Sequence, residues 1–172
     1  MTKKTSPWMT VRAEPHAPCI ASIISRRNWF NAFSNRTEVR GFENLPGTTS
    51  ANQMFSSCTN LASVSGLGNL SGVRSMRYTF SSCAFTTIDF RGFDPSTLTD
   101  LFYTFSGCSR LTTILADSSW ALPSSGITGS QCFYSCSTSL VGGNGTAWAS
   151  NKTAYTYFRI DTASTPGFIT AA

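Results

Sequence analysis

The sequence predicts an α/β repeat solenoid, a right-handed coil with a parallel sheet of short strands on one face and short helical or 3-10 turns on the other. Three observations predict it. A Phe-centred motif returns at a fixed interval, the apolar residues between copies stay in phase with it, and each interval holds one strand-like and one turn-like half. Of the 172 residues, 41% are hydrophobic and only 12% are charged. That balance fits a folded chain whose surface is covered largely by Ser, Thr, Gly and Asn.

The motif comes first. Met54-Phe55-Ser56-Ser57-Cys58 returns as Thr79-Phe80-Ser81-Ser82-Cys83 and as Thr104-Phe105-Ser106-Gly107-Cys108, with the phenylalanines 25 residues apart. A fourth copy, Cys132-Phe133-Tyr134-Ser135-Cys136, follows after 28 residues, and a degenerate earlier one begins at Trp29-Phe30. The units therefore start near 29, 54, 79, 104 and 132. After Cys58 the apolar residues are Leu61, Val64, Leu67, Leu70, Val73 and Met76; after Cys83 they are Phe85, Ile88, Phe90, Phe93, Leu98 and Leu101. The second copy has lost one residue near Ala84 and regained it before Leu98. A loop between layers that must rejoin a stack at a fixed place adjusts in this way.

Within each unit, residues 61–65, 85–90 and 111–115 are short and rich in Thr and β-branched residues, which predicts strands. Residues 71–80 and 96–105 differ: Val73, Met76 and Phe80, like Leu98, Leu101 and Phe105, fall at i, i+3 and i+7. That spacing predicts the buried face of a short helix or 3-10 turn. Asp94 is a candidate N-cap for the second of these, and Pro95 helps to end the strand before it. One strand and one turn cannot bury a core alone. Stacked at about 4.8 Å per layer, they place like phenylalanines one above another inside.

These motifs support a family resemblance. The pattern Met/Thr-Phe-Ser-Ser/Gly-Cys, then Leu-x-x-Ile/Val, then Gly92-Phe93-Asp94 running on to Leu101, resembles the BspA-like leucine-rich repeats of bacterial surface proteins. The tail, with Leu140 to Thr146, Tyr157 to Asp161 and Pro166 to Thr170, looks like the segment that closes such arrays. The resemblance implies a leucine-rich-repeat-like fold and, more loosely, a cell-surface or adhesion-associated role. Phe33 stands where the first unit would carry its Cys.

Three regions follow: an irregular N-terminal segment at 1–18, the repeat coil at 19–140, and a C-terminal cap at 141–172. A cap is required because the last layer of a stacked sheet exposes an unpaired edge. Gly142-Gly143-Asn144-Gly145 breaks the repeat, residues 155–160 read as a strand, and residues 162–167 turn the chain back towards Phe168.

The cysteines are Cys19, Cys58, Cys83, Cys108, Cys132 and Cys136. Four of them, Cys58, Cys83, Cys108 and Cys136, share one repeat position and read as an inward column of small, soft side chains rather than as a disulfide framework. No cofactor or metal is expected: Cys132-x-x-x-Cys136 lacks further ligands, and the single His, His16, lies in the irregular start. His16 would also have to be the base of any Ser- or Cys-based catalytic set, so the chain reads as non-catalytic. The aspartates sit at turns and strand ends, where capping accounts for them.

Net charge is +5, but the basic residues are scattered, and Asp89, Asp94 and Asp100 lie among Arg74, Arg77, Arg91 and Arg110. No nucleic-acid partner is expected. The chain has no run of about 18 apolar residues, so no direct membrane insertion is expected. Met1 to Met9 lacks the apolar run of a signal peptide. On these residues the chain is either cytoplasmic or a piece of a longer secreted protein. The resemblance implies the second, an extracellular or cell-surface setting as part of a longer protein, with the isolated domain expected to be monomeric. The candidate ligand-binding residues are outward positions of the strands and adjoining loops: Thr59, Ser63, Ser65, Thr87, Asp89, Arg91, Arg110 and Thr113. Short polar side chains on an extended face suit a protein or glycan partner. The sequence thus points to a binding or adhesion module, with a structural spacer or subunit-contact repeat in a phage or envelope assembly as the alternative.

Overall fold

A computed structural model of the chain describes Glu38, Val39 and residues 48–172. The expectations for residues 1–18, His16, Cys19, Trp29-Phe30 and Phe33 lie outside the described residues. The described residues form short strands in small parallel sheets, with few helical segments. Strand β1 is Glu38–Val39, β2 is Ser63–Val64, β3 is Thr87–Asp89, β4 is Thr113–Ala116 and β5 is Ile169–Ala171. β1 pairs with β2, and β3, β4 and β5 form a second sheet, all in parallel. Among the described residues the helical segments are two 3-10 turns, Leu67–Leu70 and Tyr155–Tyr157.

The two sheets part between β2 and β3, where the second unit is one residue short. Leu61 and Phe85 are 24 residues apart, whereas Phe85 and Leu111 are 26 apart. Ala84 takes up the difference: it is buried, and its N–H donates to the Leu61 carbonyl at 3.1 Å.

Residues 71–80 and 96–105 are not helical. A second parallel ladder passes through them, joining Ser50 to Ser75, Ser75 to Asp100 and Asp100 to Thr128. Their amides are thereby committed to the neighbouring layer, with Met76 N–H on Asp100 O at 2.8 Å and Leu101 N–H on Thr128 O at 2.8 Å. An i to i−4 helix bond would compete for these same groups. Asp94 accordingly caps a local turn, accepting the Ser96 N–H at 2.9 Å. The apolar spacing has a different cause. Phe55, Cys58, Leu61, Val64, Leu67, Leu70, Val73 and Met76 recur every third residue and all are buried. Many are linked by turn bonds: Cys58 N–H donates to Phe55 O, Leu61 N–H to Cys58 O and Val73 N–H to Leu70 O, at 3.1, 2.9 and 3.1 Å. A string of tight turns presents every third side chain inward.

The Phe-Ser-Ser-Cys segments stack by the same means. Phe55 N–H donates to Thr79 O, Phe80 N–H to Thr104 O and Phe105 N–H to Cys132 O, at 2.8, 2.9 and 2.8 Å. Between them the backbone turns left-handed at corresponding places: Gln53, Tyr78 and Tyr103, then Ser57, Ser82, Gly107 and Ser135. Each non-glycine residue there costs about 1–2 kcal/mol. The interlayer bonds of Ser57 N–H to Ser81 O and Ser82 N–H to Ser106 O, at 2.8 and 2.7 Å, offset that cost. Inside, Phe55, Phe80, Phe105 and Phe133 stack ring on ring with centroids 5.5, 5.6 and 5.3 Å apart. The buried hydroxyls of Thr79 and Thr104, one residue earlier, donate to Ala51 O and Met76 O at 2.9 and 3.0 Å.

Residues 141–172 lie against the last of these layers. Thr153 O accepts from Phe133 N–H at 2.9 Å and Gly129 O from Tyr155 N–H at 2.8 Å. Phe158 packs on Phe90, Phe105, Trp120 and Phe133, and Phe168 stands edge-on to Phe133. The strand expected over 155–160 is instead the 3-10 turn Tyr155–Tyr157 followed by a bridge from Ile160 to Ile169. The strand in this region is β5, whose Ile169 lies opposite Ile114 of β4. Asp161, almost fully buried, holds the segment together. Its carboxylate accepts from the N–H groups of Asn144, Thr146 and Gly167 at 2.8, 2.9 and 3.1 Å, and from the Thr146 hydroxyl at 2.6 Å. Gly142 must be glycine, since a Cβ there would lie 2.2 Å from Gly167 O.

Candidate functional site

The sequence-predicted residues occupy the strand side of the molecule but not one continuous face. Ser63 lies on β2 and is exposed; Ser65, also exposed, bonds through its N–H to Val39 O at 3.0 Å. Thr87 and Thr113 are register partners across β3 and β4. Thr59 and Arg110 are exposed in the turns that lead into the strands. The parting of β2 from β3 leaves Ser63 and Ser65 on one sheet and Thr87, Asp89 and Thr113 on the other. Asp89 and Arg91 are committed to each other: the guanidinium donates through Nε at 3.0 Å and through Nη2 at 2.6 Å. The Arg91 hydrogen bonds outweigh partial burial and hold the Asp89 carboxyl below the usual carboxylate range.

A surface missed in the sequence lies along the second ladder. Arg77 sits over the Phe102 ring with its guanidinium carbon 4.5 Å from the centroid, and its Nη1 is 3.7 Å from Asp100 Oδ2. Tyr78 and Tyr103 stack at 4.9 Å and 4°. Tyr134 stands edge-on to Tyr103 at 6.1 Å and is 49% exposed. Asp100 also accepts the Phe102 N–H at 3.0 Å and the Ser75 hydroxyl at 3.3 Å. The available signal was the 25-residue spacing of Tyr78 and Tyr103, each two residues before a buried Phe. Helix periodicity, applied to the same stretch, hid it.

An open depression of about 410 Å³ lies beside Phe93, Asp94, Asp117 and Trp120. Its carboxylates are engaged locally, Asp117 Oδ2 accepting the Gly92 N–H at 2.6 Å. Phe93 and Trp120 are stacked on each other and buried, so they form its wall rather than an exposed platform. Among the described residues no cluster of three or more His, Cys, Asp or Glu is placed to hold a metal ion. No helix among them is long and apolar enough to cross a membrane.

The cysteines at 58, 83, 108, 132 and 136 are buried. Cys83, Cys108 and Cys136 each donate from Sγ to the phenylalanine carbonyl of the preceding unit, Phe55, Phe80 and Phe105, at 3.1, 3.0 and 3.0 Å. Burial pushes the Cys108 thiol up to about 12 and drives Cys83, Cys132 and Cys136 in the same direction. Reactive thiolate is therefore scarce at neutral pH. In a Cys19→Ser background, the native protein is expected to leave all five thiols unlabelled by a maleimide at pH 7.5 and to release them together on denaturation. Stoichiometric labelling of the folded protein would contradict the inward column.

Comparison with protein-family models, curated proteins and solved structures finds no match to this chain.

Proposed function

We propose that the chain is a leucine-rich-repeat-like right-handed solenoid of the BspA-like kind, with residues 141–172 as its C-terminal cap. It serves as a non-catalytic binding or adhesion module of a bacterial cell-surface or secreted protein, engaging protein or glycan partners on its outward strand face. The single observation that carries this reading is the layering of like residues, with Phe55, Phe80, Phe105 and Phe133 in one stacked column. A column of that kind leaves the outward positions of each layer in rows, which suits an extended partner better than an enclosed small molecule. Polar Ser63, Thr87 and Thr113 occupy those positions on successive strands.

A binding screen of the immobilised protein tests the reading, with neutral and anionic polysaccharides, surface glycans, matrix proteins and extended peptides as analytes. At least one class is expected to bind, with Arg110→Ala and Thr87→Ala weakening a strand-face ligand. No binding in any class would overturn the reading.

A further inference from the structure

We propose that the second ladder carries a platform for a linear, neutral polysaccharide, formed by Phe102, Tyr103 and Tyr134 with Arg77 and Asp100. The proposal shares the binding-module premise but not the strand face. Its geometry begins with the stacked pair Tyr78 and Tyr103. Phe102 is turned 82° from one and 85° from the other, and Tyr134 is turned 79° from Tyr103. The turned rings therefore run along the stacking direction, and Tyr134 is open to solvent over about half its surface, at 49%. The phenol hydroxyls of Tyr78, Tyr103 and Tyr134 make no hydrogen bond to another described residue. Aromatic faces, hydroxyls and one planar ion pair thus occur together without an enclosing pocket.

The chemistry of the partner follows from what this surface offers. Sugar C–H groups carry partial positive charge and pack on the negative face of an aromatic ring, while phenols and a guanidinium meet hydroxyls. Arg77 and Asp100 neutralise each other at 3.7 Å within the cluster. That local neutrality does not favour an anionic chain. A protein partner needs a desolvated apolar centre. The large hydrophobic side chains exposed among the described residues are Tyr134 and Val141, and Val141 lies outside this cluster. Layers about 4.8 Å apart also match the advance of a β-linked glycan, at roughly one sugar per layer.

Isothermal titration of the full chain with β-1,4-linked glucose and N-acetylglucosamine oligomers of about two to six sugars tests this. Affinity is expected to rise with length to about three sugars, one for each layer that carries Arg77, Phe102-Tyr103 or Tyr134. Tyr134→Ala and Arg77→Ala are expected to weaken binding by at least about tenfold, while Tyr134→Phe keeps it within about threefold. Circular dichroism of each variant checks that the fold is retained. Ser124→Ala, at an exposed loop residue outside both faces, is expected to leave the sugar affinity unchanged. No binding of any oligomer at millimolar concentration, or sugar binding that Tyr134→Ala leaves intact, would overturn the proposal. A protein or peptide ligand found where no sugar binds would overturn it too, yet leave the binding-module reading standing.

Discussion

Phe105→Ala is expected to destabilise the protein by about 4–5 kcal/mol, near the upper end for a buried aromatic truncation. Phe105 has no exposed surface. It lies between Phe80 and Phe133 with centroids 5.6 and 5.3 Å away, and meets the edges of Phe90 and Phe158 at 6.2 and 5.3 Å. The substitution removes the transfer free energy of the ring and opens a cavity against four other rings, each pair contributing about 0.5–1.5 kcal/mol beyond area burial. Collapse is restricted because both neighbouring layers are pinned by Phe80 N–H on Thr104 O and Phe105 N–H on Cys132 O. Chemical denaturation measures the change as a fall in the midpoint. Tyr134→Ala, on the exposed surface, is expected to stay within about 0.5 kcal/mol of the parent. A Phe105→Ala loss below about 2 kcal/mol would show that the ring column is loosely packed.

Asp161→Ala is expected to cost about 3–4 kcal/mol, because hydrogen bonds to a charged acceptor are worth about 1.5–3 kcal/mol each and are not fully additive. Four donors converge on this carboxylate, from Asn144, Thr146 twice and Gly167. Removing it orphans the Gly167 N–H in the interior, between Arg159 and Gly142. The pH dependence has a definite sign. Burial alone would raise the Asp161 pKa, but the donors from Thr146, Gly167 and Asn144 outweigh it and leave it below the usual value. The unfolded chain then holds the proton more tightly than the folded one. This contribution is present in full above the unfolded carboxylate pKa of about 3.9 and disappears as pH falls through the lower folded value. Denaturation midpoints between about pH 5 and 2 are expected to fall more steeply for the parent than for Asp161→Ala. Equal slopes would remove Asp161 from the acid response.

Much of the fold was legible because burial imposes its period directly on the sequence. Phe55, Phe80 and Phe105 announce the layer interval, and the strands fall inside the predicted 61–65 and 85–90, and within one residue of 111–115. The turns were harder to read. Val73, Met76 and Phe80 satisfy a helical spacing, yet Val73 and Met76 end a longer run from Phe55 in which every third residue points inward. Three-residue turns and a 3.6-residue helix diverge only when such a run is followed for several steps. Local spacing also gives no account of the left-handed residues: Tyr78, Tyr103, Ser57 and Ser82 are poor choices for that backbone taken singly. Tyr78, Ser57 and Ser82 hold it because their amides bond to the next layer.

The candidate site was less legible for a related reason. Alternation within a strand identifies an outward position, so Thr87 and Thr113 were found. It cannot show that a single missing residue near Ala84 splits the sheet, or that Arg91 closes on Asp89. The aromatic surface was hidden because Phe102, Tyr103 and Tyr134 come together only across layers. Asp161 and its four donors are spread over residues 144–167 and become one network only when the chain doubles back through Gly142 and Gly167.

The central claim is that equivalent residues of successive units touch, layer upon layer. Nuclear Overhauser contacts between ring protons test it in solution, using protein labelled on phenylalanine. The account predicts contacts from Phe55 to Phe80, Phe80 to Phe105 and Phe105 to Phe133, with none between Phe55 and Phe105. Absence of the adjacent contacts, or rings broadened by a soluble paramagnetic agent, would contradict it.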